Sequence, residues 1–301
     1  MQHYRSLNTY LQERFGEKVY KLALDGGFTC PTRDGSLDTR GCIFCLNGSG
    51  DFAVPVRDNI PAAVSKAKAL VAGKSGKKYI AYYQSFTGTY AAPERLRDLY
   101  SETIAQPDIA ALSIGTRPDC LPDEVIRLLA ELNENKPVWI ELGLQTVHAS
   151  TAKYIRRRYS LEAYDTAVQK LRNAGIEVIT HMILGLPGET PEMMRQTAAY
   201  IGKSGADGIK FQLLHVLQGT DLAADYAAGR FQILSLEEYI HILESCIESI
   251  PPRMVVHRLT GDGAKKNLIA PLWSADKKTV INAISHAFDR DNILQGKRCT
   301  E

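Results

Sequence analysis

Cys30-Pro-Thr-Arg-Asp-Gly-Ser-Leu-Asp-Thr-Arg-Gly-Cys42-Ile-Phe-Cys45 places three thiols in one loop, directly after the strand-like run Val19-Tyr-Lys-Leu-Ala-Leu24. Thiols gathered this way usually hold a metal or a cluster. A structural zinc wants four closed ligands. Across residues 2–20 and 46–119, however, the sequence offers no fourth cysteine and no histidine other than His3. A disulfide framework fits poorly with an odd local set of thiols and no secretory context. Cysteines used as small core hydrophobes would not collect in a polar loop. An iron–sulfur cluster with one iron left without a protein ligand accounts for the set best, and an open metal position signals chemistry rather than structure.

The 301 residues, 45% of them hydrophobic, suffice for one barrel-sized domain. A formal charge of +2 announces no global field for nucleic acid, so any such partner must meet a local patch. The opening Met1-Gln-His-Tyr-Arg-Ser6 has no signal-type apolar segment. No run reaches the length of a membrane span. The expectation is a cytoplasmic protein without a membrane partner, in which Cys120, Cys246 and Cys299 are structural or incidental.

Strand-like runs at 19–24, 79–84, 109–114, 138–142, 176–184, 208–214 and 254–259 alternate with helical ones. This is the pattern of βαβ units and a single parallel sheet. Prolines suited to a first turn open helices at 61–71 and 93–105, and another helix starts at Pro122. Thr190-Pro-Glu starts a further helix, Ser235-Leu-Glu-Glu238 is a capping box, and 277–290 is amphipathic. Repeated strand, loop and helix predict a full or partial (β/α) barrel, whose chemistry sits on the loops after the strands. The thiol loop, Gln84-Ser-Phe-Thr87, Thr116-Arg-Pro-Asp119, Glu141-Leu-Gly-Leu-Gln145, His181 and Leu213-Leu-His215 all fall at such ends. Glu141 interrupts the apolar run Val138-Trp-Ile-Glu-Leu-Gly-Leu144, a costly place for a carboxylate unless it is paired.

The thiol loop resembles that of the radical S-adenosylmethionine superfamily, in a long-spaced form with an aromatic before the third cysteine. Thr116-Arg-Pro-Asp119 and Gly185-Leu-Pro-Gly-Glu189 are similar to segments of its YhcC/YtqA-like branch, related to the radical domain of the Elongator catalytic subunit. The resemblance implies a partial (β/α)6 TIM-like α/β barrel as a single domain over residues 1–301. Its core would run from about 17 to 215, with an N-terminal extension and a C-terminal one from about 216 to 301.

It implies a [4Fe-4S] cluster on Cys30, Cys42 and Cys45 and S-adenosylmethionine at the open iron, cleaved to a 5′-deoxyadenosyl radical. Phe44 would cover the adenine side. Gln84 and Ser85 stand where relatives place a glycine-rich turn for the methionine amine. Thr116, Glu141, Gln145 and His181 would face the cofactor from the strand ends, and Arg157 would hold its carboxylate by bidentate bonding. Arg156-Arg-Arg-Tyr159 is expected to open the following helix, with Arg158 and Tyr159 at the surface or facing an anionic substrate. His257-Arg-Leu-Thr-Gly-Asp-Gly263 and Ala270-Pro-Leu-Trp273 would close the substrate side.

For the substrate, the residues give local basic excess. Lys153, Arg156, Arg157, Arg158, Lys170 and Arg172 stand against Glu162 and Asp165. Such patches could guide RNA phosphates, although solvated helix faces also explain them. The resemblance implies wobble-uridine modification of transfer RNA at a C5 carboxymethylaminomethyl-type group, with a flavodoxin- or ferredoxin-type reducing partner. A small-metabolite radical enzyme and a non-catalytic metal-bound RNA scaffold remain the alternatives.

Overall fold

The protein is described by a computed structural model covering residues 2–46, 52–56, 59–73, 76–261, 263 and 265–299. Its strands are β1 (Val19–Asp25), β2 (Val54–Pro55), β3 (Lys78–Tyr83), β4 (Ile109–Thr116), β5 (Val138–Gln145), β6 (Glu177–Leu184), β7 (Gly208–Leu213), β8 (Val216–Leu217), β9 (Val255–Arg258) and β10 (Leu268–Ala270). Its helices are α1 (Leu7–Phe15), α2 (Ile60–Ala69), α3 (Pro93–Ala105), α4 (Asp123–Asn135), α5 (Ala149–Tyr154), α6 (Leu161–Asn173), α7 (Pro191–Ser204), α8 (Asp221–Ala227), α9 (Leu236–Glu248) and α10 (Lys277–Arg290).

Eight strands form one parallel sheet in the order β2-β1-β3-β4-β5-β6-β7-β9, and β8 pairs antiparallel with β10. The seven expected strands are all present. The eighth, β2, is a two-residue edge strand too short to leave a period in the sequence. The sheet is curled. In a flat sheet β3 and β7, four neighbours apart, would lie about 19 Å from each other, yet Lys210 Nζ stands 3.3 Å from the Tyr82 hydroxyl.

Alternation along the strands separates two buried faces. Val138, Ile140, Leu142 and Leu144 of β5 join the core under the helices, as do Val178, Met182 and Leu184 of β6. The helices answer with stripes at three- and four-residue spacing: Val125, Leu128, Leu129 and Leu132 on α4, and Tyr164, Ala167, Val168 and Leu171 on α6. Ser160, Thr190, Thr220 and Asp276 cap their helices, and Ser235 with Glu238 completes the expected capping box.

The other parity points into the curl. At its lower end Val19, Ile80, Ala111, Trp139 and Ile179 pack with Leu11 of α1, which plugs the barrel from below. Two residues further along the same strands come Lys21, Tyr82, Ser113, Glu141 and His181. The plug supports that polar layer, so it carries the site. Trp139 is fully buried, and Trp139→Ala is expected to cost about 3–5 kcal/mol. A urea titration would show this as a lower midpoint; an unchanged midpoint would mean the plug is not part of the cooperative core.

Candidate active site

Above the plug lies a cavity of about 360 Å³, open at the C-terminal ends of the strands. The thiol loop forms one wall. Cys30, Cys42 and Cys45 are all free thiols lining this cavity, with Phe44 between the last two. Local bonds shape the loop: Cys45 N–H donates to Cys42 O at 3.0 Å, and Gly41 N–H to Thr32 O at 2.8 Å. The Arg33 guanidinium donates to Leu46 O at 2.7 Å and also to Cys45 O. Gly41 has φ +71, and a Cβ there would meet Arg33 Nε at 2.8 Å. Only glycine allows the guanidinium to reach across the turn.

Burial pushes the Cys42 thiol up to about 12, helped by Cys45 and Cys30 and opposed by Arg117 and Arg156. Three reduced thiols around one cavity have the donor chemistry of a cluster with a free corner. Thiolate ligation would exchange their protons for iron.

The remaining walls come from the strand ends. Phe44, Gln84, Thr116, Glu141, Gln145, Arg157 and His181 all line the cavity. Ser85 is buried but is not among the lining residues. Its turn is bound to the thiol loop instead, through Thr87 N–H to Thr29 O at 3.1 Å. Thr116 Oγ1 shares a 2.6 Å bond with Thr89 Oγ1. Gln145 ends β5 with φ +70, a left-handed conformation at the lip.

The stretch Arg156-Arg-Arg-Tyr159 corrects one expectation. It does not open a helix but forms the link between α5 and α6, with Arg156 at φ +58 and Arg158 at φ +65 before the cap Ser160. Left-handed residues interrupt the helical path, and each of the three arginines has its own destination. Arg156 pairs with Asp221 at 2.5 Å and Arg158 with Asp38 at 2.6 Å. The Arg157 guanidinium is buried and donates to the carbonyls of Leu144 at 3.1 Å, Tyr159 at 3.2 Å and Thr146. Tyr159 lies in the cavity wall, donating to Gly143 O, with the guanidiniums of Arg117 and Arg157 4.9 and 4.8 Å from its ring centre. Arg117 in turn grips both oxygens of Asp119 at 2.9 and 2.7 Å, which fixes the Thr116-Arg-Pro-Asp119 segment.

The floor of the cavity is a network that local sequence reading did not assemble. The Glu141 carboxylate is fully buried. It accepts from Lys21 at 2.5 Å, Ser113 at 2.8 Å and His181 Nε2 at 2.7 Å, and also from Lys210. Lys21 and Lys210 stand 4.8 and 4.4 Å from the centre of the Tyr82 ring. Burial alone would raise the Glu141 carboxyl, but the two ammoniums and His181 overcome it and hold it well below the usual carboxylate range. Burial, reinforced by Lys210, pushes His181 down to about 4 against the pull of Glu141. Its imidazole is therefore neutral at physiological pH, with Nε2–H committed to Glu141 and Nδ1 left as an acceptor. The signal for this network was a charged residue in the middle of each of three apolar strands: Lys21 in β1, Glu141 in β5 and Lys210 in β7.

At the far side, Gln212 and Arg258 line the cavity with a 3.4 Å contact between them, and Trp273 Nε1 donates to Leu234 O at 3.0 Å. Asp262, expected in this segment, lies outside the described residues.

Two measurements test the floor. Glu141→Gln leaves the buried Lys210 ammonium and the part-buried Lys21 ammonium without their counter-charge and should cost about 3–5 kcal/mol by urea unfolding; a cost below about 1 kcal/mol would mean the lysines find other partners. His181 is held neutral by the fold, so its contribution is complete above the ordinary value of 6.5 and declines as pH falls toward 4. Unfolding free energies of the unaltered chain and His181→Gln, compared between pH 7 and 4, should converge on that decline; parallel curves would refute it.

Among the described residues no helix is long and apolar enough to cross a membrane. The Radical SAM superfamily model matches residues 39–201, and the Radical_SAM C-terminal domain model matches residues 206–290. Over 296 residues, 98% of this chain and 92% of the other, the sequence is 45% identical to YtqA of Bacillus subtilis. A 148-residue stretch, 48% of this chain, is 30% identical to 27% of the tRNA uridine(34) acetyltransferase of Methanocaldococcus infernus. The solved structure of Elp3 from that archaeon superposes with a TM-score of 0.67 at 19% identity, covering 93% of this chain and 64% of the other. Its cofactors are those of the family it matches, a [4Fe-4S] cluster and S-adenosylmethionine. With two family models laid end to end along its barrel and a bacterial relative nearly half identical over almost its whole length, the chain belongs to the radical S-adenosylmethionine superfamily as an enzyme.

Proposed function

We propose that the enzyme acts on a modified wobble uridine of transfer RNA, remodelling a carboxymethylaminomethyl-type group at carbon 5 of the base. The observation that carries this reading is the match of half the chain to proteins named for uridine 34 of transfer RNA. The likeness to Elp3 in fold supports it. A cavity closed below by a plug and open at the ends of the strands suits a single base and its side group rather than a helix of RNA.

In this reading Cys30, Cys42 and Cys45 hold the cluster. Phe44, Gln84, Thr116, Gln145 and His181 receive S-adenosylmethionine directly, while Ser85 supports its turn, Glu141 holds His181 and Arg157 holds the end of β5. When bound, cluster and cofactor together supply a carbon-centred radical able to take a hydrogen atom from an unactivated C–H bond, once a flavodoxin- or ferredoxin-type partner provides an electron. The chain's own residues orient and exclude. Arg157 fixes the carbonyls at the end of β5, and His181 offers Nδ1 to a hydroxyl. The apolar Ile155 and Ile183 in the cavity wall limit water at the reacting centre.

Each of Cys30→Ala, Cys42→Ala and Cys45→Ala should abolish the visible absorbance of anaerobically reconstituted protein, whereas Cys299→Ala should retain it. Retention by any of the three would remove that thiol from the ligand set. For the substrate, nucleosides of total transfer RNA from a deletion strain and its parent are compared by mass spectrometry. The proposal expects a wobble uridine that still carries the carboxymethylaminomethyl-type group to accumulate in the deletion strain; identical wobble-uridine profiles would sink it.

A further inference from the structure

The mouth of the barrel is bordered by apolar side chains that the fold leaves in water. Phe52 lines the cavity and is 50% exposed. On β10 and in the turn after it, outside the cavity lining, Ile269 and Leu272 are 40% and 72% exposed. The second lip is placed by pairing. Leu217 and Gly263 line the cavity, and β10 runs antiparallel to β8 through Leu268 beside Leu217 and Ala270 beside Val216. The lips approach each other where Leu46 meets Gly219, at which a Cβ would stand 3.1 Å from the leucine methyl. Exposed large apolar residues around one opening mark a contact surface.

Charge says what kind of contact. Lys265 and Lys266 immediately precede β10, Lys277 and Lys278 open α10, and all four are exposed. From 257 to 278 the sequence sets Arg258 and these four lysines against Asp262 and Asp276. An aromatic ring on one lip of a base-sized cavity and a basic strip on the second lip are the chemistry of single-stranded nucleic acid. Phosphates take the lysines, and an unstacked base takes the ring face. A target base has to leave its stack to reach a cavity this deep, and it needs a platform at the entrance.

We infer that Phe52 is the stacking platform for a base of an RNA loop entering the mouth, and that the Lys265–Lys266 turn beside β10 holds the backbone of the same loop. This rests on the transfer-RNA reading above and adds the docking surface. Phe52 is half in water and the lysines are on a surface turn, so their replacement should leave the fold intact. The test uses cluster-loaded protein and end-labelled unfractionated bacterial transfer RNA, with affinity read by fluorescence anisotropy over a salt series.

Phe52→Ala should weaken binding roughly tenfold with the salt slope unchanged, and Phe52→Trp should restore it. Lys265→Glu with Lys266→Glu should weaken binding more and flatten the slope by about two counterions. Cluster absorbance should match that of the unaltered chain in every variant. Variants that bind RNA as tightly as the unaltered chain overturn the inference while leaving the RNA reading in place. Absence of binding by the unaltered chain itself counts against that reading. Intact RNA binding with lost reduction by flavodoxin would assign the strip to an acidic protein, and would also overturn the inference.

Discussion

A single carboxylate at the centre of the barrel ties the sheet to itself. Glu141 projects inward from β5 and receives donors from β1, β4, β6 and β7 at once. Those strands are brought within reach only because the sheet curls, so the network and the curvature require each other. A charge so deeply buried would be prohibitive without partners. With partners it fixes the register of the floor, because a one-residue slip of any contributing strand would turn its donor into the apolar face under the helices. The same network decides what the floor can offer above. Burial, reinforced by Lys210, keeps His181 neutral, and two ammoniums stand against the Tyr82 ring, leaving an ordered polar surface beneath an open cavity.

Much of this was legible in the sequence, for identifiable reasons. The thiol loop announced itself because cysteines are rare and their spacing is local. The strands could be read because each is a short apolar run between turn residues, and their C-terminal ends could be placed from the barrel rule alone. What escaped was whatever depends on strands far apart in the chain. Lys21 and Lys210 each interrupt an apolar strand, but nothing local names their partner, and Tyr82 and Ser113 look unremarkable in their own segments. Their meeting depends on inward parity and on the curl, neither of which a window of neighbouring residues contains. The arginine run was misread for a different reason. Arg156 and Arg158 are good helix formers by propensity, but their left-handed backbone is set by tertiary partners, Asp221 and Asp38. Proximity of Arg156-Arg-Arg-Tyr159 to a real helix made the wrong boundary easy to draw.

The two matched family segments meet just ahead of β7, so the boundary between them falls inside the sheet rather than between separate bodies. The second segment contributes β7 and β9 to the same curl, supplies Gln212 and Arg258 to the cavity wall and brings Lys210 to Glu141 beneath it. The chain's two ends are also joined to one another. Gln295 donates to the carbonyls of Pro251 and Met254 and accepts from Arg5 N–H, while His3 bonds Ile293 O. Val256 N–H in β9 donates to Arg5 O, so the N-terminal segment borders the last strand of the sheet.

The sheet order begins at β2 and finishes at β9 without joining them. A closed ring has a circumference dictated by strand number and stagger. An arc does not, because small rotations between neighbouring strands widen or narrow its gap while every ladder bond survives. Girth is therefore an adjustable quantity in this scaffold: the arc can widen for a bulky guest at its upper mouth and narrow again, without any part of the sheet having to come undone.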